Sequence, residues 1–166
     1  MKPYLLGIDI GTSACKVAVF EKSGTVVAAA NGDYPVYYPK EGWAEQDPEE
    51  WWSAVCQAVK KAIQKAGIAP EEIAGIGIDG QSWSAIAMDK DGNVLTNTPI
   101  WMDTRAQSIC DRLNEEIGAE QIFEVSGNSL QPSYTTAKIL WYKENLPEVY
   151  QRSTRSCSPT ATLHIS

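Results

Sequence analysis

Short apolar runs separated by glycine-containing turns begin the chain. The first run covers residues 4–10, and two further runs rich in β-branched and small apolar residues follow at 16–20 and 25–30. Runs of this length, bounded by glycine and polar residues, are typical of strands joined in hairpins. We therefore predict three strands that open a larger sheet.

A helical period begins after Asp47. Aspartate is a common helix cap, Pro48 suits the first helical position, and Gly67 is a natural end. Between them, apolar residues recur at the three-to-four-residue spacing of one helix face, and they are Trp52, Val55, Cys56, Val59 and Ile63. We predict a helix that packs on the sheet through this face.

The second half of the chain mixes strand and helix patterns. A buried strand is predicted at 73–78 and a hairpin from 84–88 to Val94. One helix is predicted from Thr104, ending at Gly118, and another over 133–145, interrupted by Pro147; the first has Ile109, Leu113 and Ile117 on one face. This order indicates an α/β fold with a mixed sheet and flanking helices.

Composition narrows the classes of partner. The 166 residues are enough for one domain with a hydrophobic core, and the net charge of -7 disfavours nucleic acid and anionic membranes. No apolar run approaches the roughly 20 residues that cross a bilayer. The four cysteines are isolated and are expected to stay reduced. We expect a cytoplasmic protein with a small-molecule partner.

The first turn carries residues suited to phosphate. Asp9 ends a strand, Gly11 allows close backbone approach, and Thr12 and Ser13 offer hydroxyl groups. A carboxylate at this place can hold Mg²⁺ directly or through water. The same residues would also fit a plain hairpin, and both alternatives stay open on this segment alone.

This hairpin resembles the first phosphate-binding hairpin of the actin-like ATPase superfamily, which includes sugar kinases, actin and chaperone ATPases. The resemblance implies that Asp9 positions Mg²⁺, through water, and the polyphosphate of ATP. It also implies that Gly11, Thr12 and Ser13 line the phosphate path.

Further segments resemble motifs of the FGGY carbohydrate kinase family, and within it the xylulokinases. Their order and spacing agree over roughly residues 4–150, and the segments are 42–48 with 51–52, 80–84, 99–105 and 132–141. The resemblance implies an actin-like, ribonuclease H-like fold and ATP-dependent phosphorylation of a ketopentose such as D-xylulose.

A polyol pocket needs polar groups that donate and accept hydrogen bonds and an aromatic wall that excludes water. The candidates for the polar groups are Gln81, Ser82, Asp103 and Arg105; those for the wall are Trp83 and Trp101, with Tyr134 as a further contact. Arg105 would equally serve a structural ion pair, and Tyr134 would equally pack at a helix start. Three other tryptophans, Trp43, Trp51 and Trp52, are assigned to core and lid packing.

One position departs from the xylulokinase pattern. Ser82-Trp83 stands where that pattern has Met-His, so an apolar ring replaces a hydrogen-bonding imidazole. D-xylulose remains the first choice of substrate, and another ketose, a polyol or a sugar acid are the alternatives.

The last residues have no periodicity. One possible set of codons for residues 155–165, read again with one added nucleotide in front, translates to a sequence that resembles the strand and helix start of family members at this place. Our hypothesis is that 1–153 is a partial N-terminal sugar-binding domain, that 154–166 is a frameshifted tail, and that the C-terminal ATP-binding domain is absent. Such a fragment, lacking the family's downstream general base, is expected to be inactive.

Uncovered strand edges would favour self-association, for example as a homodimer. The rival interpretations are a non-catalytic actin-like interaction module and a chaperone-like or actin-like ATPase that binds no sugar.

Overall fold

A computed structural model describes residues 3–153 and 155–157 of the chain. These residues divide into two compact units, the first formed by 3–36 and 48–81 and the second by 37–47, 82–153 and 155–157. Within the described residues, every helix is too short or too polar to cross a membrane.

The strands are β1 (Tyr4–Ile10), β2 (Ala14–Glu21), β3 (Val26–Asp33), β4 (Glu45–Gln46), β5 (Ile73–Gly80), β6 (Ile86–Met88), β7 (Thr98–Pro99) and β8 (Arg155–Cys157). The helices are α1 (Pro48–Ala66), α2 (Gln107–Leu113), α3 (Ala119–Ser126), α4 (Thr135–Asn145) and α5 (Pro147–Arg152).

The first unit is built on a four-stranded mixed sheet of order β3-β2-β1-β5. β1 pairs antiparallel with β2 and parallel with β5, so β5 returns to the sheet after the long helix α1. The three-stranded start and the strand after the helix are therefore confirmed. The prediction that this strand is buried was wrong, because β5 stands at an edge of the four-stranded sheet and Ile76 is 60% exposed. The carboxyl ends of β1 and β5 meet at one edge, where ligand-binding loops of α/β sheets collect.

Helix α1 packs on one face of this sheet through a tryptophan and several small side chains. Its buried residues include Trp51 and the alanines at 54, 58 and 62. A Cβ atom on Gly32 of β3 would lie 2.7 Å from the carbonyl oxygen of Ala54, so helix and strand approach more closely than larger side chains permit. The predicted helix face was therefore wrong in part: Trp51 is in the core, whereas Trp52 is 43% exposed.

The second unit has a core between short strands and helices. Its buried residues include Ala85, Ala87, Ile109, Cys110, Ala137 and Trp141. The expected hairpin is present, because Met88 at the end of β6 bridges to Val94. Two-residue strands β4 and β7, which the sequence pattern did not reveal, pair antiparallel.

The helix predicted to stop at Gly118 continues beyond it. Residues 114–118 form one π-helical turn between α2 and α3, and Gly118 has a φ of 97°. Glycine adopts this conformation without a steric penalty, so the helical path is displaced here and ends at Ser126. The next helix starts at Thr135, two residues after its predicted start, and Pro147 opens α5 as its first residue.

The backbone of β8 pairs antiparallel with β6, Arg155 opposite Met88 and Cys157 opposite Ile86. These three residues belong to the segment for which a frameshift was predicted. Thr154 and residues 158–166 lie outside the described residues.

Candidate functional site

The turn predicted to bind phosphate, residues 11–13, lies between β1 and β2. Its first residue, Gly11, donates a backbone hydrogen bond of 3.1 Å to the carbonyl oxygen of Ala14, which closes the turn. The hydroxyl of buried Tyr34 donates to the carbonyl oxygen of Gly11 at 2.5 Å. The backbone N–H of the same tyrosine donates to the carbonyl oxygen of Ser13 at 3.4 Å. Tyr34 thus holds the turn at both ends, a role that the sequence did not reveal.

Asp9 projects beside two other charged groups. In the register of the sheet it faces Asp79 on β5 and Lys16 on β2. The ammonium nitrogen of Lys16 lies 3.6 Å from a carboxylate oxygen of Asp9, and both side chains are about half exposed or more. All three residues line a cavity of about 530 Å³ whose floor includes Gly7 and Gly77. Asp79 was not among the site residues predicted from the sequence.

These groups fit a magnesium ion that arrives with a phosphate ligand. Mg²⁺ prefers oxygen ligands and is usually held by one or two carboxylates, with waters and phosphate oxygens completing the octahedron. Asp9 and Asp79 would supply the carboxylates, and Lys16 would add a positive charge for phosphate. Among the described residues there is no group of three or more metal-binding side chains, so a closed protein cage is not formed there.

Gln81 joins this edge of the sheet. It follows β5 directly, and its backbone N–H donates to the carbonyl oxygen of Ile10 at 2.8 Å. The first unit therefore gathers Asp9, Gly11–Ser13 and Gln81 at the carboxyl ends of two neighbouring parallel strands.

The second unit presents two tryptophans at its surface. Trp83 is 48% exposed and Trp101 is 44% exposed, and Ser82 beside them is also exposed. The Trp83 ring packs against Tyr134, with 5.0 Å between ring centres and 51° between planes. An exposed aromatic face supported from behind is a suitable platform for the C–H surface of a sugar.

The backbone at Trp83 is unusual. Its φ of 65° is the one positive φ among the non-glycine residues described. Bulky residues rarely adopt this conformation, and such residues cluster at functional sites where the surrounding structure enforces them.

Lys138 supplies part of that enforcement. Its side chain is fully buried in the first turn of α4. The ammonium group donates to the carbonyl oxygens of Trp83 at 2.8 Å and of Ile100 at 2.7 Å. Burial lowers the pKa of Lys138 to about 8, the carboxylate of Asp103 opposes this, and Arg105 adds to it. The sequence placed this lysine in a family-like segment without giving it a role.

Asp103 and Arg105 lie in a buried ionic cluster. Nη2 of Arg105 is 2.7 Å from both Oδ2 of Asp103 and Oε1 of Glu45, and the Arg105 and Asp103 side chains are 2% and 0% exposed. Oδ2 of Asp103 also accepts from the backbone N–H of Ala44 at 2.8 Å. Of the two roles that the sequence left open for Arg105, the structural ion pair is the one observed.

The rings around Arg105 reinforce this cluster. Its guanidinium carbon lies 3.8 Å from the centre of Trp43 and 5.0 Å from that of Trp141. Burial tends to lower the pKa of Arg105, but hydrogen bonds and charge from Asp103 and Glu45 raise it above its ordinary value. The predicted packing role of Trp43 agrees with this position.

Comparison with known proteins identifies relatives over nearly the whole chain. The sequence profile of the FGGY family of carbohydrate kinases, N-terminal domain, matches residues 4–164. Glycerol kinase 2 of Thermotoga maritima is 37% identical over 151 residues, covering 90% of this chain and 30% of that protein. Xylulose kinase of Bacillus subtilis is 33% identical over 150 residues, with the same two coverages of 90% and 30%.

The fold is shared with solved structures. The crystal structure of a xyloylose kinase from Brucella ovis is 30% identical and superposes with a TM-score of 0.89, covering 98% of this chain and 33% of the other. The expected actin-like ATPase fold of sugar kinases is confirmed by this likeness. The chain spans about 30% of the length of the curated relatives it matches.

Proposed function

This chain belongs to the FGGY family of carbohydrate kinases, and from that premise we propose that it forms part of an enzyme that transfers the γ-phosphate of ATP to a hydroxyl group of a small sugar or polyol. The first unit provides the initial contact with the phosphates of Mg·ATP. The second unit provides the wall of the acceptor site.

The charge arrangement at Asp9 is the observation that carries the nucleotide part of the proposal. Bound Mg²⁺ would neutralise the charge on the transferring phosphoryl group. Asp9, with Asp79 beside it, would hold that ion through water, and Lys16 would attract the phosphate oxygens. Gly11 leaves room for the phosphates to approach the backbone, and Thr12 and Ser13 offer hydroxyl donors.

Two exposed aromatic rings of the second unit, with the hydroxyl of Ser82 beside Trp83 in the sequence, support the acceptor part. Trp83 and Trp101 would cover the apolar face of the sugar, with Tyr134 behind the first ring. Gln81 and Ser82 would hydrogen-bond to its hydroxyls. Asp103 and Arg105 would act indirectly, because both side chains are already engaged in the buried cluster that fixes the loop after Trp101.

A ketopentose such as D-xylulose is the acceptor we propose first. Relatives called xylulose kinase support it, as does the Gln81 segment. Glycerol is the second candidate, because a glycerol kinase is the relative with 37% identity and because Trp83 replaces the hydrogen-bonding histidine of the xylulokinase pattern.

We further propose that catalysis requires sequence beyond this chain, since it spans only 30% of its relatives' length. On this view residues 1–153 bind acceptor and phosphates but do not turn over, because phosphoryl transfer depends on groups positioned around the whole reacting centre. The adenine site and the general base belong to the remainder, and the segment 154–166 is replaced there by an in-frame continuation. Sequencing the gene around codon 154 tests this last point, and an unbroken frame through residue 166 would contradict it.

Ligand binding by the 166-residue chain tests the proposal. Thermal-shift titrations with D-xylulose, glycerol, gluconate and Mg·ATP should show stabilisation by one of the polyhydroxy compounds and, separately, by Mg·ATP, because a ligand of the folded state raises its stability. Stabilisation by Mg·ATP alone would favour the rival ATPase. Stabilisation by none would favour the interaction module.

A further inference from the structure

We propose that Lys138 is a positioning residue that holds the loops of Trp83 and Trp101 in register with one another. The inference rests on the proposed function, because it names what fixes the acceptor-site wall. The lysine touches neither substrate nor nucleotide in this account, and it acts through two backbone carbonyl groups.

One nitrogen atom joins the two loops. The carbonyl oxygens of Trp83 and Ile100 both lie within 2.8 Å of Nζ of Lys138. Ile100 is the residue directly before Trp101, so each hydrogen bond ends on the backbone that carries, or immediately precedes, an exposed tryptophan. Lysine suits this task because its ammonium group has three donors on a long stem, whereas a carbonyl cannot pair with another carbonyl.

The backbone conformation at Trp83 gives this link its importance. Trp83 has a left-handed backbone conformation that an aromatic residue rarely adopts alone. Two further hydrogen bonds from α4 hold the residues after Trp83: the hydroxyl of Thr135 donates to the carbonyl oxygen of Ser84 at 3.4 Å, and that of Tyr142 donates to the carbonyl oxygen of Ala85 at 3.0 Å. Of the three donors on α4, only the ammonium group of Lys138 also bonds to the backbone before Trp101 among the hydrogen bonds described. Fully buried lysine is unfavourable unless it is hydrogen-bonded, and both carbonyls and the charge of Asp103 compensate here, against the opposing charge of Arg105.

An apolar side chain of similar length would fill the same space. Whole buried ion pairs can often be replaced by well-packed apolar residues without loss of stability, but removing Lys138 alone leaves the carbonyl groups of Trp83 and Ile100 without this donor and destabilises the fold. A lysine at this position is therefore explained by what its hydrogen bonds arrange and not by packing. A control variant with reduced stability is therefore needed to separate positioning from stability in the test.

The experiment labels the chain with 5-fluorotryptophan and records ¹⁹F NMR spectra of its six tryptophans. Trp83→Phe and Trp101→Phe assign the two loop signals. The test variant is Lys138→Met, which keeps the stem and removes the donors. Lys143→Met is the matched control, because it removes an exposed lysine from the same helix. Ile109→Val lowers the stability of the same core without touching either loop.

In Lys138→Met we expect the Trp83 and Trp101 signals to shift or broaden, while those of Trp51 and Trp52 in the first unit stay in place. Neither control should move the two loop signals. Wild-type positions of both signals in Lys138→Met would overturn the inference, as would equal displacement in Ile109→Val, which would reveal a general effect of lost stability.

Titration with D-xylulose and glycerol separates this inference from the proposed function. Lys138→Met should weaken sugar binding at least about tenfold and leave Mg·ATP binding within about twofold. If sugar binds both proteins equally, Lys138 does not position the acceptor wall. If the wild-type chain binds no sugar while the loop signals still move, positioning by Lys138 holds and the proposed acceptor function fails.

Discussion

Arg105 and Asp103 form an ion pair sealed from solvent, with 2.7 Å between Nη2 and Oδ2 and at most 2% of either side chain exposed. Asp103 also accepts the backbone N–H of Ala44, so the loop that follows Trp101 is tied to the segment before α1. Two of the residues that the sequence suggested for a sugar pocket thus stabilise the loop that follows Trp101.

Removing Arg105 should destabilise the second unit strongly. Arg105→Met leaves Asp103 buried without its ion-pair partner, and removing one partner of a buried pair costs about 3–5 kcal/mol. Urea denaturation measures the free energy of unfolding. Arg112→Met is the control, because its pair with Glu144 is exposed on both sides and should cost about 1 kcal/mol or less. Equal losses in the two variants would contradict the structural role of Arg105.

Asp9→Asn should abolish stabilisation by Mg·ATP while changing the free energy of unfolding very little. The Asp9–Lys16 pair is largely exposed, so its loss should change the free energy of unfolding by less than about 1 kcal/mol. Stabilisation by Mg·ATP should nevertheless disappear, because a neutral amide is a poor partner for a hydrated Mg²⁺ ion. Asp91→Asn, in an exposed hairpin turn, should keep the Mg·ATP response. An unchanged response in Asp9→Asn would remove this carboxylate from the site.

Trp83→His tests the departure from the xylulokinase pattern. An imidazole can donate to or accept from a sugar hydroxyl, whereas the Trp83 ring mainly offers an apolar face. The ratio of D-xylulose to glycerol affinity should rise by up to about tenfold, the size expected from one added hydrogen bond with a net contribution of about 1 kcal/mol. Trp52→His changes a comparably exposed tryptophan on α1 and should leave the ratio unaltered. A ratio unaffected by Trp83→His would show that this ring does not set specificity.

The thiol of Cys15 should make stability fall at high pH. Burial, followed by the charge of Asp9, raises its pKa from 9.0 to about 11. The unfolded chain therefore loses this proton first, so the stabilising contribution is complete below pH 9 and is lost as pH rises to about 11. Relative to Cys15→Ala, the wild-type free energy of unfolding should fall by up to about 2 kcal/mol over that window. A constant difference between the two proteins from pH 8 to pH 11 would contradict the buried thiol.

Strands, helices and turns that depend on local sequence patterns could be predicted from the sequence. The strands at 4–10 and 73–80, the helix that starts at Pro48 and the turn after Asp9 all follow from local apolar spacing and from glycine or proline at defined places. The face of α1 was misassigned because tryptophan outweighs alanine in hydrophobicity, while the close approach to Gly32 selects alanine. Gly118 was misjudged because a π-helical turn accommodates the glycine that would ordinarily end a helix.

The sequence alone did not predict the roles of residues whose hydrogen-bond partners lie far away in the chain. Tyr34 acts on Gly11, 23 residues away, and Lys138 acts on Trp83, 55 residues away. Neither residue has a local pattern that marks it, since a tyrosine after a strand and a lysine in a helix are both ordinary. Their functions appear only when the tertiary fold brings the carbonyl groups to them.

The decisive experiment is a coupled assay of ADP release by the longer enzyme that we propose contains this chain, because it measures sugar-dependent phosphoryl transfer itself. We predict ADP release only when a ketose or polyol is present, one sugar phosphate formed for each ADP, and loss of both products in Asp9→Asn. ATP hydrolysis that proceeds equally with and without every sugar in the panel would contradict it.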